Sequence, residues 1–392
     1  MDEILNILGC NPNSSPPQMP SQGPTPAPTI VLSQVPSQVP SQFDNPKKIS
    51  APDAESMDAF GGSVDIHGDN IVIAAPFNDD NGNNTGSIYI FSKGGSFEEK
   101  IIASDGESEG LFGTSVALSE NYIVVGSNSS ISGGFHIIPL DDTSLMKKIE
   151  TPNNFSEFFG YSVAISNNVI AIGSPVDSNE NVVTGAVYLY TTDGTFIEKL
   201  TNPDGIENDS FGLSIAMADD VLVVGAPAGP GGVFVFNATN GEFLRKFVFE
   251  SNTFFGYDVA VYGDTIVVGS ALLVSIYSLD GTLIQQNLAT DEETFFIYPS
   301  VAVSENVVVA SGSRNATSGI FERSVYLFTT EGEFIERIAD PDGEMKTFGS
   351  DVSIEGNRLV VGASDTIPGP QGSDPTGAGP GAGAAYIFEL GL

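Results

Sequence analysis

The sequence predicts an all-β protein, a seven-bladed β-propeller of four-stranded antiparallel blades. The string FGYSVAISNNVIAIGSP, in its copy at Phe159, recurs down the chain at intervals of roughly 40–50 residues, a period typical of propellers and solenoids. Within each copy apolar and polar residues alternate with a period of two, which is typical of β-strands. Apolar segments for a third and a fourth strand follow nearly every copy.

The recurring string defines the inner half of each blade. Its copies begin at Phe60, Phe112, Phe159, Phe211, Phe255, Ile297 and Phe348, and the copy at Ile297 is the most divergent. A few polar residues separate the two apolar halves of each copy, so we predict a β-hairpin. We interpret the Phe-Gly pair as architectural, because Phe suits the space between sheets and Gly admits close backbone approach.

The third and fourth strands complete each blade. Third strands such as SIYIF and GVFVF are nearly continuous apolar runs, which predicts burial on both faces. We predict a tight turn after the third strand, because Asp-Gly and Asn-Gly pairs supply the positive φ that two-residue turns require. The turn glycines are Gly95, Gly194, Gly241, Gly281 and Gly332. The fourth strands, such as FEEKI and FIERI, carry more charge.

These residues resemble a known family, the FG-GAP repeats of integrin α-subunit-type propellers. "FG" recurs from Phe60-Gly61 to Phe348-Gly349, and the "GAP" triplet is intact at Gly225-Ala226-Pro227. The resemblance covers about residues 45–392 and implies a propeller whose ligands dock on one face. In that family the first hairpin often carries a calcium loop of the form D-x-D-x-D-G-x-x-D. The hairpin turns of this chain are too short to give calcium the 6–8 oxygens it prefers.

The chain divides into two predicted parts. Residues 1–43 are rich in Pro, Ser and Gln and are predicted to form a disordered tail or stalk, and residues 44–392 form the propeller. The last repeat ends after its third strand, and residues 46–61 align with the fourth strands and links of other repeats. We therefore predict that residues 44–50 complete the last blade and close the ring.

The first ten residues leave two explanations open. They contain Ile-Leu-Gly-Cys at Ile7–Cys10 but lack a basic segment before it. One explanation is a truncated or misassigned start that has lost an export signal. The other is an ordinary disordered tail. Since Cys10 is the single cysteine, the chain has no internal disulfide.

Charge limits the partners of this protein. Lys and Arg number 14 against 50 Asp and Glu, which gives a formal net charge of −36. Nucleic acid and anionic membranes are therefore excluded as favoured partners. Such a charge indicates either plain solubility or a surface for cations and basic ligands. The sequence also lacks an apolar run near the ~20 residues of a membrane span.

The loops predict a binding face. Antiparallel topology places the loops between second and third strands, together with the links between blades, at one end of the propeller. Unequal polar loops on a rigid scaffold are typical of binding surfaces, although merely solvated loops are the alternative. We expect a protein or carbohydrate ligand there. The predicted ligand-binding residues are Asp79, Asp80, Asn81, Asp105, Glu107, Glu109, Asp177, Glu180, Asp204, Glu207, Asp209, Arg314, Asp342 and Glu344.

Calcium is the one cofactor that the sequence suggests. Asp79, Asp80 and Asn81 are the candidate ligands in the first blade's loop, and the acids of the next link could share an ion with them. Exposed carboxylates usually stay hydrated and repel one another, so a diffuse counterion cloud is the competing explanation.

The sequence gives no catalytic constellation. The two histidines, His67 and His136, fall at unrelated positions, which argues against a zinc set or a His-based triad. We therefore expect a protein that is not an enzyme. The predicted function is an extracellular or cell-surface binding and adhesion module. An intracellular protein-interaction scaffold is the alternative, and a propeller hydrolase or lyase is less favoured.

Glycosylation sequons mildly favour export to the cell exterior. They begin at Asn13, Asn83, Asn128, Asn154, Asn208, Asn237 and Asn315. All but Asn13 lie in the predicted propeller and are candidate glycosylation sites.

Overall fold

The structure is a computed structural model that describes most of the chain from Pro46 onward. The described residues are 46–103, 108–128, 133–151, 158–179, 182–249, 254–271, 273–286, 288, 294–296, 298–315, 321–343, 347–364 and 381–391. The tail predicted for residues 1–43 lies outside them.

Seven four-stranded antiparallel sheets form the blades, numbered 1 to 7 by their first strands. The innermost strands are Val64–His67, Phe112–Leu118, Ser162–Ser166, Ile215–Ala218, Asp258–Tyr262, Val301–Val303 and Phe348–Glu355. The second strands are Asn70–Ala75, Tyr122–Ser127, Val169–Ser174, Val221–Ala226, Thr265–Gly269, Val307–Asn315 and Arg358–Ala363. The third strands are Ser87–Ser92, Gly134–Pro139, Ala186–Thr191, Gly232–Asn237, Val274–Ser278, Phe321–Thr329 and Ala384–Glu389. The outermost strands are Phe97–Ile102, Lys147–Glu150, Phe196–Leu200, Phe243–Phe247, Leu283–Gln286, Phe334–Ala339 and Lys47–Ile49.

This arrangement confirms the predicted seven-bladed fold. Three small elements add to it. A 3₁₀ turn spans Thr143–Leu145, Ser178–Asn179 pairs with Val182–Val183, and Thr294–Phe295 pairs with the second strand of blade 6. Among the described residues, no helix has the length and apolar character needed to cross a membrane.

The innermost strands form a closed ring around the axis. Each lies beside the innermost strands of the two neighbouring blades, and Phe348–Glu355 of blade 7 lies beside Val64–His67 of blade 1. The outermost strand of blade 7 is Lys47–Ile49, which pairs antiparallel with Ala384–Glu389. The segment before the first repeat and the last repeat therefore share one sheet, which fastens the ring.

The Phe-Gly pairs pack where adjacent blades meet. Phe60 and Phe159 are fully buried, and each ring lies edge-on to a third-strand tyrosine with centroids 5.2 Å apart, Tyr89 and Tyr188 respectively. Gly61 has φ +91°, and a Cβ there would collide with the backbone of blade 7. The aromatic wedge and the close approach are both requirements of the blade interface, in agreement with the architectural interpretation.

The divergent sixth copy contains a one-residue slip. The repeat pattern aligns Ile297 with the phenylalanine of the other copies, but the buried ring in that place belongs to Phe296. Phe296 lies 5.6 Å from Tyr326, edge-on, as Phe348 does from Tyr386 at 5.5 Å. Blade 6 therefore has one extra residue between this phenylalanine and the first hairpin, and Phe296 packs as the phenylalanines of the other blades do.

Candidate functional site

The loops after the second strands and the links between blades form one end of the propeller, which we call the loop face. In blade 1 the backbone N–H of Glu109, in the following link, donates to the carbonyl of Asn83 in the loop at 2.8 Å. In blade 3 the N–H of Asn208 donates to the carbonyl of Val183 at 2.8 Å. Loops and links are therefore joined through their backbones.

A cluster that we call a clamp fastens the loop face to the rim of blade 1. Lys100 of the outermost strand binds Asp53 at 2.6 Å and also Asp80, and its ammonium lies 5.1 Å from the centre of the Tyr89 ring. The Tyr89 hydroxyl donates to Asp53 at 2.9 Å. Asp53 lies in the link that enters the blade, so the clamp connects link, loop and outermost strand.

Three further blades repeat the clamp. In blade 3, Lys199 binds Asp177 at 2.6 Å, the Tyr188 hydroxyl donates to the same carboxylate at 2.5 Å, and the ammonium lies 5.2 Å from that ring. The corresponding groups are Lys48, Asp342 and Tyr386 in blade 7, and Lys246, Asp204 and Phe234 in blade 4. The repeated geometry indicates a structural device of the fold.

In two of the clamps the pKa of the aspartate is lowered. Burial alone would raise the pKa of Asp53, but hydrogen bonds from Lys100 and Tyr89 outweigh burial and lower it. In blade 7 the hydrogen bond from Lys48 lowers the pKa of Asp342. A lysine ammonium forms a charge-assisted hydrogen bond with each of these carboxylates. The bonded oxygens are therefore already occupied in the protein without a ligand.

Several predicted ligand-binding acids are engaged in this way. The clamp members among them are Asp80, Asp177, Asp204 and Asp342. Asp209 is 1% exposed and accepts hydrogen bonds from the Asn202 side chain and from the Phe211 N–H at 3.1 Å. The predicted acids that remain exposed without an ammonium partner in the described structure are Asp79, Glu109 and Glu207.

Other predicted residues have no described side chain. Asp105, Glu107, Glu180 and Glu344 lie outside the described residues. Arg314 lies in the second strand of blade 6, where the structure describes its backbone alone.

The candidate calcium ligands are close in sequence but point to different partners. Asp79 accepts from the Asn84 N–H at 2.7 Å, and the Asn81 amide donates to the Ala103 carbonyl at 2.9 Å. Asp80 is bound to Lys100. Within the described part of the chain, no three Asp, Glu, His or Cys side chains are grouped so that they could hold a metal ion.

The candidate glycosylation sites differ in access. Asn83 and Asn208 are exposed on the loop face, and Asn83 donates to Glu109. Asn237 is half-buried, and its side-chain oxygen accepts from the backbone of the turn that follows. Asn128 is only 7% exposed. Asn13 and Asn154 lie outside the described residues, and the side chain of Asn315 is not described.

A second polar cluster, on the axis, was missed by sequence reasoning. It occupies one position of the repeat, three residues after the Phe-Gly phenylalanine in six of the seven copies, namely Ser63, Ser115, Ser162, Ser214, Asp258, Ser300 and Asp351. In five blades the oxygen at this position accepts a backbone N–H of the next blade, as from Val116 to Ser63 at 3.2 Å and from Val301 to Asp258 at 2.8 Å. In the other two, the hydroxyls of Ser162 and Ser214 donate to backbone carbonyls of the next blade. The signal was present in the aligned copies, since two blades have Asp where five have Ser.

The fold and its blade interfaces define a repeat β-propeller. The family model described as FG-GAP repeat matches residues 43–91, 96–134, 153–190, 195–236 and 334–388. These segments make up more than half of the chain, so the chain belongs to the FG-GAP repeat family, and the resemblance predicted from the sequence is confirmed.

Comparison with individual proteins supports the fold and does not indicate a function. None of the curated proteins matches the sequence. The structure is similar to the crystal structure of BamB from Moraxella catarrhalis, with a TM-score of 0.50 and 10% sequence identity, over 90% of this chain and 98% of that chain. At this identity the likeness shows a shared propeller architecture.

Proposed function

We propose that the protein is a binding and adhesion module, not an enzyme, that takes a protein or carbohydrate ligand on its loop face. The observation that carries the proposal is the construction of that face. Loops and links are joined by backbone hydrogen bonds and fastened to the outermost strands by clamps. A surface ordered before binding loses less conformational freedom when the ligand docks.

The exposed acids specify the chemistry of the contact. Asp79, Glu109 and Glu207 project from different loops and links of this face. Carboxylates recognise Lys and Arg through charge-assisted hydrogen bonds and accept hydrogen bonds from sugar hydroxyls. A basic protein surface or a carbohydrate fits such a set.

We place the protein outside the cell or at the cell surface, with an intracellular interaction scaffold as the alternative. Exposed sequons at Asn83 and Asn208 support export. Glycosidase treatment of the protein from its own cells separates the two. A mobility shift that Asn83→Gln and Asn208→Gln abolish together supports export, whereas an unmodified protein confined to the cell interior favours the scaffold.

Paired surface variants test the binding face. The labelled full chain is applied to an array of extracellular-matrix proteins and glycans. We expect Asp79→Arg with Glu207→Arg to abolish the binding observed, since both acids are exposed on the loop face. The matched control is Asp264→Arg with Glu305→Arg, which changes two exposed acids in the hairpin turns at the opposite end. Equal effects of the two pairs would contradict the proposal.

A further inference from the structure

The outermost strands are the free edges of the seven sheets, and six of them carry charge at two matched positions. The first position lies opposite the middle of the third strand and holds, in blades 1, 2, 3, 4, 6 and 7, Glu99, Lys147, Glu198, Arg245, Glu336 and Lys47. The next position along holds, in the same blades, Lys100, Lys148, Lys199, Lys246, Arg337 and Lys48. Natural proteins place charges on sheet edges because an uncharged free edge pairs readily with another strand.

The outermost strand of blade 5 departs from this pattern. Leu283–Gln286 has Gln285 and Gln286 at the two positions and carries no charge. Gln286 lies opposite Ser275, whereas the equivalent third-strand residue of the other six blades is tyrosine, phenylalanine or histidine. All four residues of the strand are exposed, and no strand of the described structure pairs with its outer side. Blade 5 therefore has an open, uncharged edge.

This edge is complementary to itself. A glutamine side chain carries both donors and an acceptor, so Gln285 and Gln286 can pair with the same residues of a second copy. Antiparallel pairing about a two-fold axis also places free backbone N–H groups opposite carbonyls. It covers the apolar side chains of Leu283 and Ile284, which are 45% and 40% exposed. The charged edges of the other blades would have to give up hydration to pair in this way.

The apolar surface continues from this edge onto blade 4. Gly281, in the turn that leads into the edge, lies beside the outermost strand of blade 4, since a Cβ on it would come within 3.6 Å of Arg245 Nη1. Leu244 in that strand and Val248 directly after it are exposed. A specific dimer buries roughly 1,200 Å² or more, which four residues of one edge do not supply. Leu244 and Val248 are the side chains that extend the contact.

The net charge determines how a contact between two copies responds to salt. Two molecules of charge −36 repel each other, and salt screens that repulsion. An uncharged edge is the surface at which two such molecules approach with the least local repulsion. Pairing of two copies therefore strengthens as the salt concentration rises, whereas docking of a basic partner weakens.

We propose that the outermost strand of blade 5 is a self-association surface, at which the edges of two copies of this chain pair antiparallel about a two-fold axis. The two blades then form one eight-stranded sheet, flanked by the apolar side chains of the blade 4 rim. Because the contact is made by outermost strands, the loop face of each copy stays available to a ligand.

Sedimentation velocity of the full chain over a concentration series tests this surface. We expect a monomer–dimer equilibrium whose dimer fraction rises between about 50 mM and about 500 mM NaCl. Ile284→Glu with Gln285→Glu installs the residues that blade 1 has at the equivalent positions, Glu98 and Glu99, so the blade fold accepts them. We expect this pair to weaken the dimer about tenfold or more, because like charges then face each other across the edge.

The matched control adds the same charge to other rims. Ile102→Glu with Leu145→Glu changes two exposed apolar side chains of blades 1 and 2, and we expect it to leave the dimer dissociation constant unchanged. Equal weakening by the two pairs would mean that net charge governs association, contrary to the proposal. A wild type that stays monomeric at high salt would overturn it outright.

Amide hydrogen exchange distinguishes strand pairing from contact through side chains alone. The backbone amides of Leu283–Gln286 should exchange more slowly at a protein concentration at which the dimer dominates than in the monomer. Unchanged exchange of this strand in the presence of dimer would show that the two copies meet at another surface, and the proposal would then be wrong.

Discussion

The aspartates of the loop face and those of the axis are the same residue in opposite electrostatic settings. On the loop face, Asp53 and Asp342 lie against lysines of the outermost strands, and their pKa values are lowered. On the axis, Asp258 and Asp351 face hydroxyls, backbone N–H groups and each other, and their pKa values are raised. Burial raises the pKa of all four aspartates. The net shift is downward only where a lysine ammonium lies beside the carboxylate.

The difference follows from position in the blade. Outermost strands face solvent and can carry lysine, whose ammonium reaches inward along an aromatic ring to the loop face. Innermost strands are crowded by neighbouring blades, and at the position of Asp258 and Asp351 the other five blades carry serine.

Removing the strand that closes the ring should lower the stability of the protein more than any other change proposed below. Deleting residues 1–50 removes Lys47–Ile49 from blade 7 and with it the ammonium that holds Asp342. Deleting residues 1–40 leaves both in place. We expect the first deletion to lower the melting temperature by about 5 °C or more and the second to leave it unchanged. Equal melting temperatures in calorimetry would remove the closing role of this strand.

Breaking the buried clamp of blade 3 should have the next largest effect. Asp177 is 1% exposed, so Asp177→Ala leaves the Tyr188 hydroxyl and the Lys199 ammonium without their partner. We expect a loss of about 3 kcal/mol in the free energy of unfolding by urea. The matched control is Asp80→Ala, because Lys100 keeps Asp53 and the expected loss is under about 1 kcal/mol. If both variants lost the same free energy of unfolding, the burial of Asp177 would not make its clamp more stabilising than that of blade 1.

The smallest expected effect is a difference in acid sensitivity. The pKa of Asp342 is lowered in the folded protein, so its contribution is present above about pH 4 and is lost as the pH falls through the folded pKa. Lys48→Met removes the cause of that shift. Between pH 5 and pH 3 the melting temperature of the wild type should fall further than that of the variant. A variant that responds to acid as the wild type does would mean that this clamp does not hold its carboxylate.

The repeats predicted the blades and the loop face because both depend on local pattern. Period-two alternation and Gly-containing turns identify strands and hairpins, and antiparallel order then determines which loops share an end. The clamps could not be predicted, because Asp53 and Lys100 are far apart in sequence and meet only through strand register and blade packing. The prediction of ligand-binding acids depends on residue type, which does not distinguish Asp209, buried in its link, from exposed Glu207.

The axis was overlooked for a different reason. The recurring string is typical of a structural element, and the change from Ser to Asp at positions 258 and 351 is a single-residue difference within it. The slip at Phe296 has a similar origin, since alignment without insertions displaces the wedge by one residue. Substitutions within a repeat carry information because the other copies show what the fold alone requires.

Carbon-13 NMR titration of the aspartate carboxyls in the full chain tests the contrast between the two regions most directly. Asp258→Ser and Asp342→Asn assign the two signals. We expect the carboxyl of Asp342 to titrate below the usual aspartate range and that of Asp258 to titrate well above it, near pH 7. Titration of both carboxyls together near pH 4 would contradict the account.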